Sequence, residues 1–282
     1  MQKEQKELYS YLSFFNLREP PFSLVPSPSF FFPAKAHLES IEVLAFSLNQ
    51  GSLISVLTGE PGLGKTQVVL TLISKLSEEI KPLYIFNPAL KPEEFFKALF
   101  KELGLAEISH TLTKDEVLKK LKDFLKENPS SKKYILVIDE AQLLPDETLE
   151  ELRLITNLNE GNEIKFQILL SGQTSLSERL KKPEHAPLRQ RISVWEILRP
   201  LEKEEILSYL WFRIKQVSDN PELILEKKIE KTLYKWTKGV PRLINKLMDR
   251  SLFIAYVRRD KTIRKKYLKE AKKTFLDGLL EA

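Results

Sequence analysis

A chain of 282 residues with 42% hydrophobic and 30% charged residues can bury one large core or two small ones, which excludes a disordered or fibrous protein. No apolar run approaches the roughly 18 residues that span a bilayer, no apolar segment follows the charged opening residues as a secretory signal requires, and the lack of cysteine excludes disulfides and thiolate metal sites. The net charge of +6 is uneven: from Leu201 onward there are 20 Lys/Arg against 12 Asp/Glu, so the C-terminal part suits either an anionic partner or a plainly solvated Lys-rich surface.

Residues 8–33 are crowded with aromatics and prolines, from Tyr11 through Phe22 to Phe30-Phe31-Phe32. Proline breaks both helix and strand, so an irregular segment packed across the main domain is expected. A helix over 36–49 follows, with Leu38, Ile41, Leu44 and Leu48 on one face. Short apolar runs then alternate with helical periods. Ser52–Thr58, Leu83–Phe86, Tyr134–Ile138, Phe166–Leu170 and Val194–Leu198 read as strands, and Thr113 with Glu116 opens one of the helices as a capping box. Strands alternating with helices predict an α/β fold with a five-stranded parallel sheet covered on both faces. After Pro200 the strand pattern stops. Apolar residues at helical spacing, Ile206 to Ile214, Ile229 to Trp236, Leu243 to Tyr256 and Leu268 to Leu280, predict a small all-helical domain. The expected domains are therefore 1–200, with the aromatic opening, and 201–282.

Gly59-Glu60-Pro61-Gly62-Leu63-Gly64-Lys65-Thr66 fits the phosphate-binding pattern G-x-x-x-x-G-K-[ST], and it lies between a strand and a helix as that chemistry requires. Glycines let backbone N–H groups wrap a phosphate chain at a helix N-terminus. Lys65 would reach the β- and γ-phosphates of ATP, and Thr66 would ligate Mg²⁺. The strand Tyr134–Ile138 runs into Asp139-Glu140, which places a carboxylate for Mg²⁺, Asp139, beside Thr66 and next to a general base for the attacking water, Glu140. Asn87 ends the second strand and either restrains Glu140 or simply starts a turn before Pro88. Gln173 follows the fourth strand, where a polar side chain can sense the γ-phosphate. Arg189 and Arg191 precede the fifth, where an arginine can reach a neighbouring subunit's nucleotide. Arg242 opens a helix of the second domain and could bridge it to phosphate. His37, His110 and His185 are scattered, so they read as surface or core histidines rather than metal ligands.

These residues together resemble the AAA+ ATPases of the general secretion pathway protein A (ExeA-like) family. The likeness rests on Phe14-Phe-Asn-Leu-Arg-Glu-Pro-Pro-Phe22, the P-loop, Asn87-Pro88, Ile138-Asp-Glu-Ala-Gln142, Gly172-Gln173, Gln190-Arg191-Ile192, Pro200-Leu201 and Gly239-Val-Pro-Arg-Leu-Ile-Asn245. It implies a P-loop AAA+ core with the P-loop strand central, followed by a helical lid, with ATP and Mg²⁺ as ligands and hydrolysis coupled to a homo-oligomeric ring or filament. It also implies Arg191 as the finger, Arg242 as the lid sensor and Phe22 as a wall near the adenine. Asn16 and Ser27 depart from the family's usual glycine and acidic residue. Membrane-linked relatives continue into a transmembrane helix and a peptidoglycan-binding domain, whereas this sequence stops at Ala282. The implied function is a cytoplasmic ATPase, at most peripheral to the inner membrane, that drives assembly of a secretion or cell-envelope machine. The alternative is a soluble regulatory ATPase of the transposition (TniB/TnsC) type, binding double-stranded DNA through the basic run from Arg258 to Lys273. An unfoldase is disfavoured, because Pro88–Glu94 offers no aromatic-glycine pore loop. A nucleotide-binding module without catalysis is disfavoured because Lys65, Asp139 and Glu140 are all present.

Overall fold

The computed structural model describes residues 10–85, 88–105, 113–127, 133–159 and 164–280. The first compact unit, residues 37–61 and 65–198, is built on a five-stranded parallel sheet. Its strands are β1 (Ile54–Thr58), β2 (Ile80–Ile85), β3 (Lys133–Ile138), β4 (Phe166–Gly172) and β5 (Ile192–Ile197), in the order β2-β3-β4-β1-β5. β1, β3 and β4 are buried along nearly their whole length, and this is why they read as continuous apolar runs rather than alternations. β5 is an edge strand and is only partly covered. The P-loop strand is thus interior, with β4 and β5 as neighbours, rather than in the middle of the five.

Register decides what the sheet presents. Thr58 of β1 lies beside Gly172 of β4, and Leu170 of β4 lies beside Ile138 of β3. The segments that leave these three strands therefore emerge side by side at the carboxyl edge, where open α/β sheets bind their ligands. The covering helices bury Phe95, Leu99, Leu121, Leu149, Leu152 and Ile155 in one continuous core with the strands. The expected capping box forms: the Thr113 N–H donates to Glu116 Oε2 at 2.7 Å, at the start of the helix Lys114–Glu127.

The second compact unit contains residues 10–36, Gly62–Gly64 and the chain from Arg199. Here the structure corrects the sequence reading. The aromatic opening does not join the sheet's core. Phe15, Leu17, Phe22 and Phe30 are buried with Tyr209, Leu210, Ile214, Leu252 and Leu268 of the C-terminal helices. Burying one such ring is worth roughly 1.5–3 kcal/mol, and these helices offer the apolar face it needs. The segment is also not wholly irregular, since Ser10–Phe14 is helical and Pro28–Phe30 forms a 3-10 turn. Nor is the remainder purely helical. A two-stranded parallel pair, β6 (Ile224–Leu225) with β7 (Thr262–Ile263), ties the helices together. No helix among the described residues is long and apolar enough to cross a membrane.

Candidate nucleotide site

The P-loop leaves β1 and turns into the helix Lys65–Ser74. Gly62 and Gly64 adopt φ of +83° and +98°, the left-handed region that side chains avoid, so the loop needs glycine at both positions. Lys65 Nζ donates to the carbonyls of Gly59 at 3.0 Å and Glu60 at 3.1 Å, which folds the loop around the ammonium. Burial lowers the Lys65 pKa, while the carboxylates of Glu140, Asp139 and Glu60 oppose that shift. A polyphosphate would add further countercharge to this buried ammonium.

Thr66 Oγ1 donates to Asp139 Oδ2 at 2.5 Å, so the two oxygens expected to serve one divalent ion already converge. Hydroxyl and carboxylate oxygens form a hard donor set, and they fit Mg²⁺ by chemistry as well as by place. The other Asp139 oxygen accepts from Ser171 Oγ at 2.7 Å, which fixes the carboxylate against the end of β4. Ser171 is fully buried, and no sequence motif marked it.

Glu140 lies at the carboxyl end of β3 with φ +52°, a left-handed conformation rare outside glycine. Its Oε2 accepts from Gln142 Nε2 at 2.5 Å and from Gln173 Nε2 at 3.1 Å. Gln173, expected from the sequence to sense the γ-phosphate, lies beside Glu140. Asn87, the residue suggested as a restraint on Glu140, lies outside the described residues. Among the described residues Gln142 donates to Glu140, and it could have been noticed in the sequence only as the last residue of Asp-Glu-Ala-Gln.

The two arginines before β5 separate in environment. Arg189 is spent internally: its Nη1 donates to the Leu180 carbonyl at 2.8 Å, closing the end of the helix Thr174–Lys181. Arg191 donates to the exposed Asn157 side chain at 2.9 Å. Because Ile192 pairs with Ile54 at the start of β1, Arg191 sits at the end of the sheet opposite the P-loop. Four residue steps of ~3.3 Å separate the two ends, so Arg191 does not reach the P-loop of the same chain.

Arg242 is in the first turn of the helix Pro241–Val257, and its N–H donates to the Gly62 carbonyl at 3.2 Å. A Cβ on Gly62 would lie 2.7 Å from Arg242 Cβ, so only glycine permits that approach. Phe22 is 2% exposed within the helical core, where it anchors its segment and shows little ring surface. His37 and His185 are buried, and His110 lies outside the described residues. His185, Glu184 and Asp146 come together, yet the Arg179 guanidinium already pairs with Asp146 where a cation would have to sit.

The model of the AAA domain family matches residues 48–180, which run from before β1 into the helix after β4. The chain is 36% identical over 253 residues to general secretion pathway protein A of Aeromonas hydrophila, a match covering 88% of this chain and 45% of that protein. It thus spans about half the length of this curated relative. Among solved structures it is similar to the Aeropyrum pernix ORC2 protein in its ADPNP–ADP complexes, with a TM-score of 0.65, 18% identity, and 91% of this chain and 71% of the other covered. It is also similar to the Aeropyrum pernix ORC1 protein in complex with DNA, with a TM-score of 0.59, 20% identity and 85% and 64% covered. At these identities the structural likeness establishes the fold.

Proposed function

The chain belongs to the AAA+ ATPases and, over the residues it shares, to the general secretion pathway protein A family, and from that premise we propose that it binds Mg·ATP, hydrolyses it, and uses the cycle to drive assembly of a secretion or cell-envelope machine. One observation carries the ATPase reading. Lys65, the Thr66–Asp139 pair and Glu140 converge where three adjacent parallel strands end.

In this reading the P-loop N–H groups and Lys65 hold the phosphates, and Arg242 adds positive charge from beside Gly62. Thr66 and Asp139 would hold Mg²⁺, which supplies charge neutralisation on the β- and γ-phosphates. Glu140 accepts the proton of the attacking water through the oxygen that Gln142 and Gln173 leave free. Gln173 senses the γ-phosphate. Arg191, directed away from its own P-loop, stabilises charge on a neighbouring subunit's nucleotide. That makes a homo-oligomeric ring or filament part of the proposal. The secretion role rests on the name of that relative, and a place in the cytoplasm or at the inner membrane surface is part of the proposal.

The decisive experiment compares the wild type with Glu140→Gln. Retained ATP binding with turnover lost supports the assignment, and unchanged turnover rejects Glu140 as the base. The DNA-binding alternative has the C-terminal charge excess in its favour. Part of that charge is committed within the unit, however: Arg258 pairs with Glu270 at 2.7 Å, Lys261 with Glu222 at 2.7 Å and Arg264 with Asp260 at 2.6 Å. Turnover measured with and without double-stranded DNA at two salt concentrations separates the two. Salt-sensitive stimulation favours DNA, because phosphate contacts release counterions. A flat response, with turnover following protein concentration, favours the assembly ATPase.

A further inference from the structure

The side chain of Glu140 is held by the amide of Gln142, a residue to which the ATPase reading gives no role of its own. A general base must be oriented to within a fraction of an ångström, yet a glutamate at a strand end has three rotatable bonds and no intrinsic reason to point at the water. Among the described residues, the side-chain amides of Gln142, at 2.5 Å, and Gln173, at 3.1 Å, both meet Glu140 at Oε2. Gln142 is itself fixed at both ends. Its Oε1 accepts the backbone N–H of Gln173 at 3.0 Å. A backbone N–H can meet only the oxygen of that amide, so the amide orientation is settled and the NH₂ group must face Glu140. Its backbone carbonyl accepts Arg179 Nη1 at 2.8 Å, and the other guanidinium nitrogen of Arg179 pairs with Asp146. A Cβ on Gly172 would meet Gln142 Oε1 at 3.0 Å, so glycine at the end of β4 leaves the room in which this amide lies.

We propose that Gln142 is the positioning residue for Glu140: braced by Arg179 and by the Gln173 backbone, it pins one carboxylate oxygen and leaves the other free to accept a proton. The proposal rests on Glu140 being the base. Gln173 is unsuited to hold Glu140 alone, because a side chain that also senses phosphate must leave Glu140 during the cycle. Gln142 uses a backbone partner that does not leave, so its hold persists when the Gln173 side chain moves. The left-handed backbone at Glu140 fits this reading: such a conformation is strained outside glycine and persists where surrounding contacts over-determine it.

The test is a double-mutant cycle on the full chain. Gln142→Met keeps the side-chain length and removes the amide. Gln142→Asn keeps the amide and withdraws it, and serves if the first variant folds poorly. In the wild-type background either substitution is expected to lower kcat by about 10–100-fold, with KM for ATP and the affinity for ADP unchanged. In the Glu140→Gln background, followed over long single-turnover incubations, the same substitution is expected to change the residual rate less than twofold, because it has no base left to orient. An equal loss in both backgrounds, or no loss in the first, overturns the proposal and leaves the ATPase reading intact. If Glu140→Gln itself retains full turnover, the base assignment fails first and this inference fails with it.

Discussion

At Asn16 the backbone turns through φ +55°, a conformation that glycine adopts freely and that asparagine tolerates better than most residues. The family's usual glycine is therefore replaced by the next most permissive choice, and the Asn16 side chain adds a hydrogen bond to the Asn220 carbonyl at 2.7 Å. The same scale governs Lys65. Its ammonium is wrapped by loop carbonyls, so Lys65→Ala is expected to abolish ATP binding while leaving the melting temperature within a few degrees, as a fluorescent-nucleotide titration and a thermal melt would show. Asp260 gives a pH dependence of known sign. The guanidinium of Arg264, with help from the Thr262 N–H and the Tyr267 hydroxyl and against a smaller opposing effect of burial, lowers its pKa from 3.8 to about 2. A depressed carboxylate stabilises the fold fully above its unfolded value and loses that contribution as pH falls through the folded one. Asp260→Asn should therefore lower the urea midpoint at pH 7, and the gap from wild type should narrow between pH 4 and pH 2. A constant gap across that window would assign the effect to something other than the charge.

Among the elements, the opening segment is tied to the C-terminal helices by a buried cation as well as by its aromatic side chains. Arg213, only 5% exposed, donates through Nε to the Pro21 carbonyl at 2.6 Å and through Nη2 to the Ser23 carbonyl at 2.7 Å, and its guanidinium stacks 4.2 Å from the centre of Phe30. Only a planar fork can serve two carbonyls and a ring face at once, so lysine is not an equivalent here. Arg213→Lys should cost about 2–4 kcal/mol in chemical denaturation, by leaving buried carbonyls without their donor. The Gly-Val-Pro-Arg-Leu-Ile-Asn segment is mostly architectural at this scale. Gly239 has φ +82°, and a Cβ there would fall 2.0 Å from the Leu201 carbonyl oxygen, which explains why Pro200-Leu201 and this glycine belong together. Asn245 accepts from the buried Tyr209 hydroxyl at 2.7 Å. Gly239→Ala is expected to destabilise by about 2 kcal/mol or more, through backbone strain and overpacking, and a wild-type urea midpoint would disprove it.

For the whole molecule, the position of Arg191 sets the expectation. This arginine lies at the sheet end opposite the P-loop, donates to the exposed Asn157 side chain, and is the one that the proposal places against a second copy. Arg191→Ala should bind ATP normally and lose concentration-dependent turnover. Mixing it with Glu140→Gln should restore part of the activity, since some interfaces then carry one intact base and one intact arginine. A mixture as inactive as either parent would count against action across an interface.

Strand content, the phosphate loop and the acidic strand end were legible in the sequence because their signals are local. A buried parallel strand must be apolar throughout, and a phosphate loop must place glycine, lysine and a hydroxyl at fixed offsets in a few consecutive residues. The helical periods after Pro200 were legible for the same reason. What only the tertiary structure decided is which distant groups share a neighbour. Composition could not assign the aromatic opening to the helices rather than the sheet, because apolar surface is buried wherever a complementary face exists. Nor could spacing reveal that Ser171 braces Asp139, that Gln142 pins Glu140, or that Arg189 is consumed inside its own subunit while Arg191 is left at the surface. Those pairings depend on strand register and on the positions of carbonyls, which are fixed only when residues tens of positions apart are brought into contact.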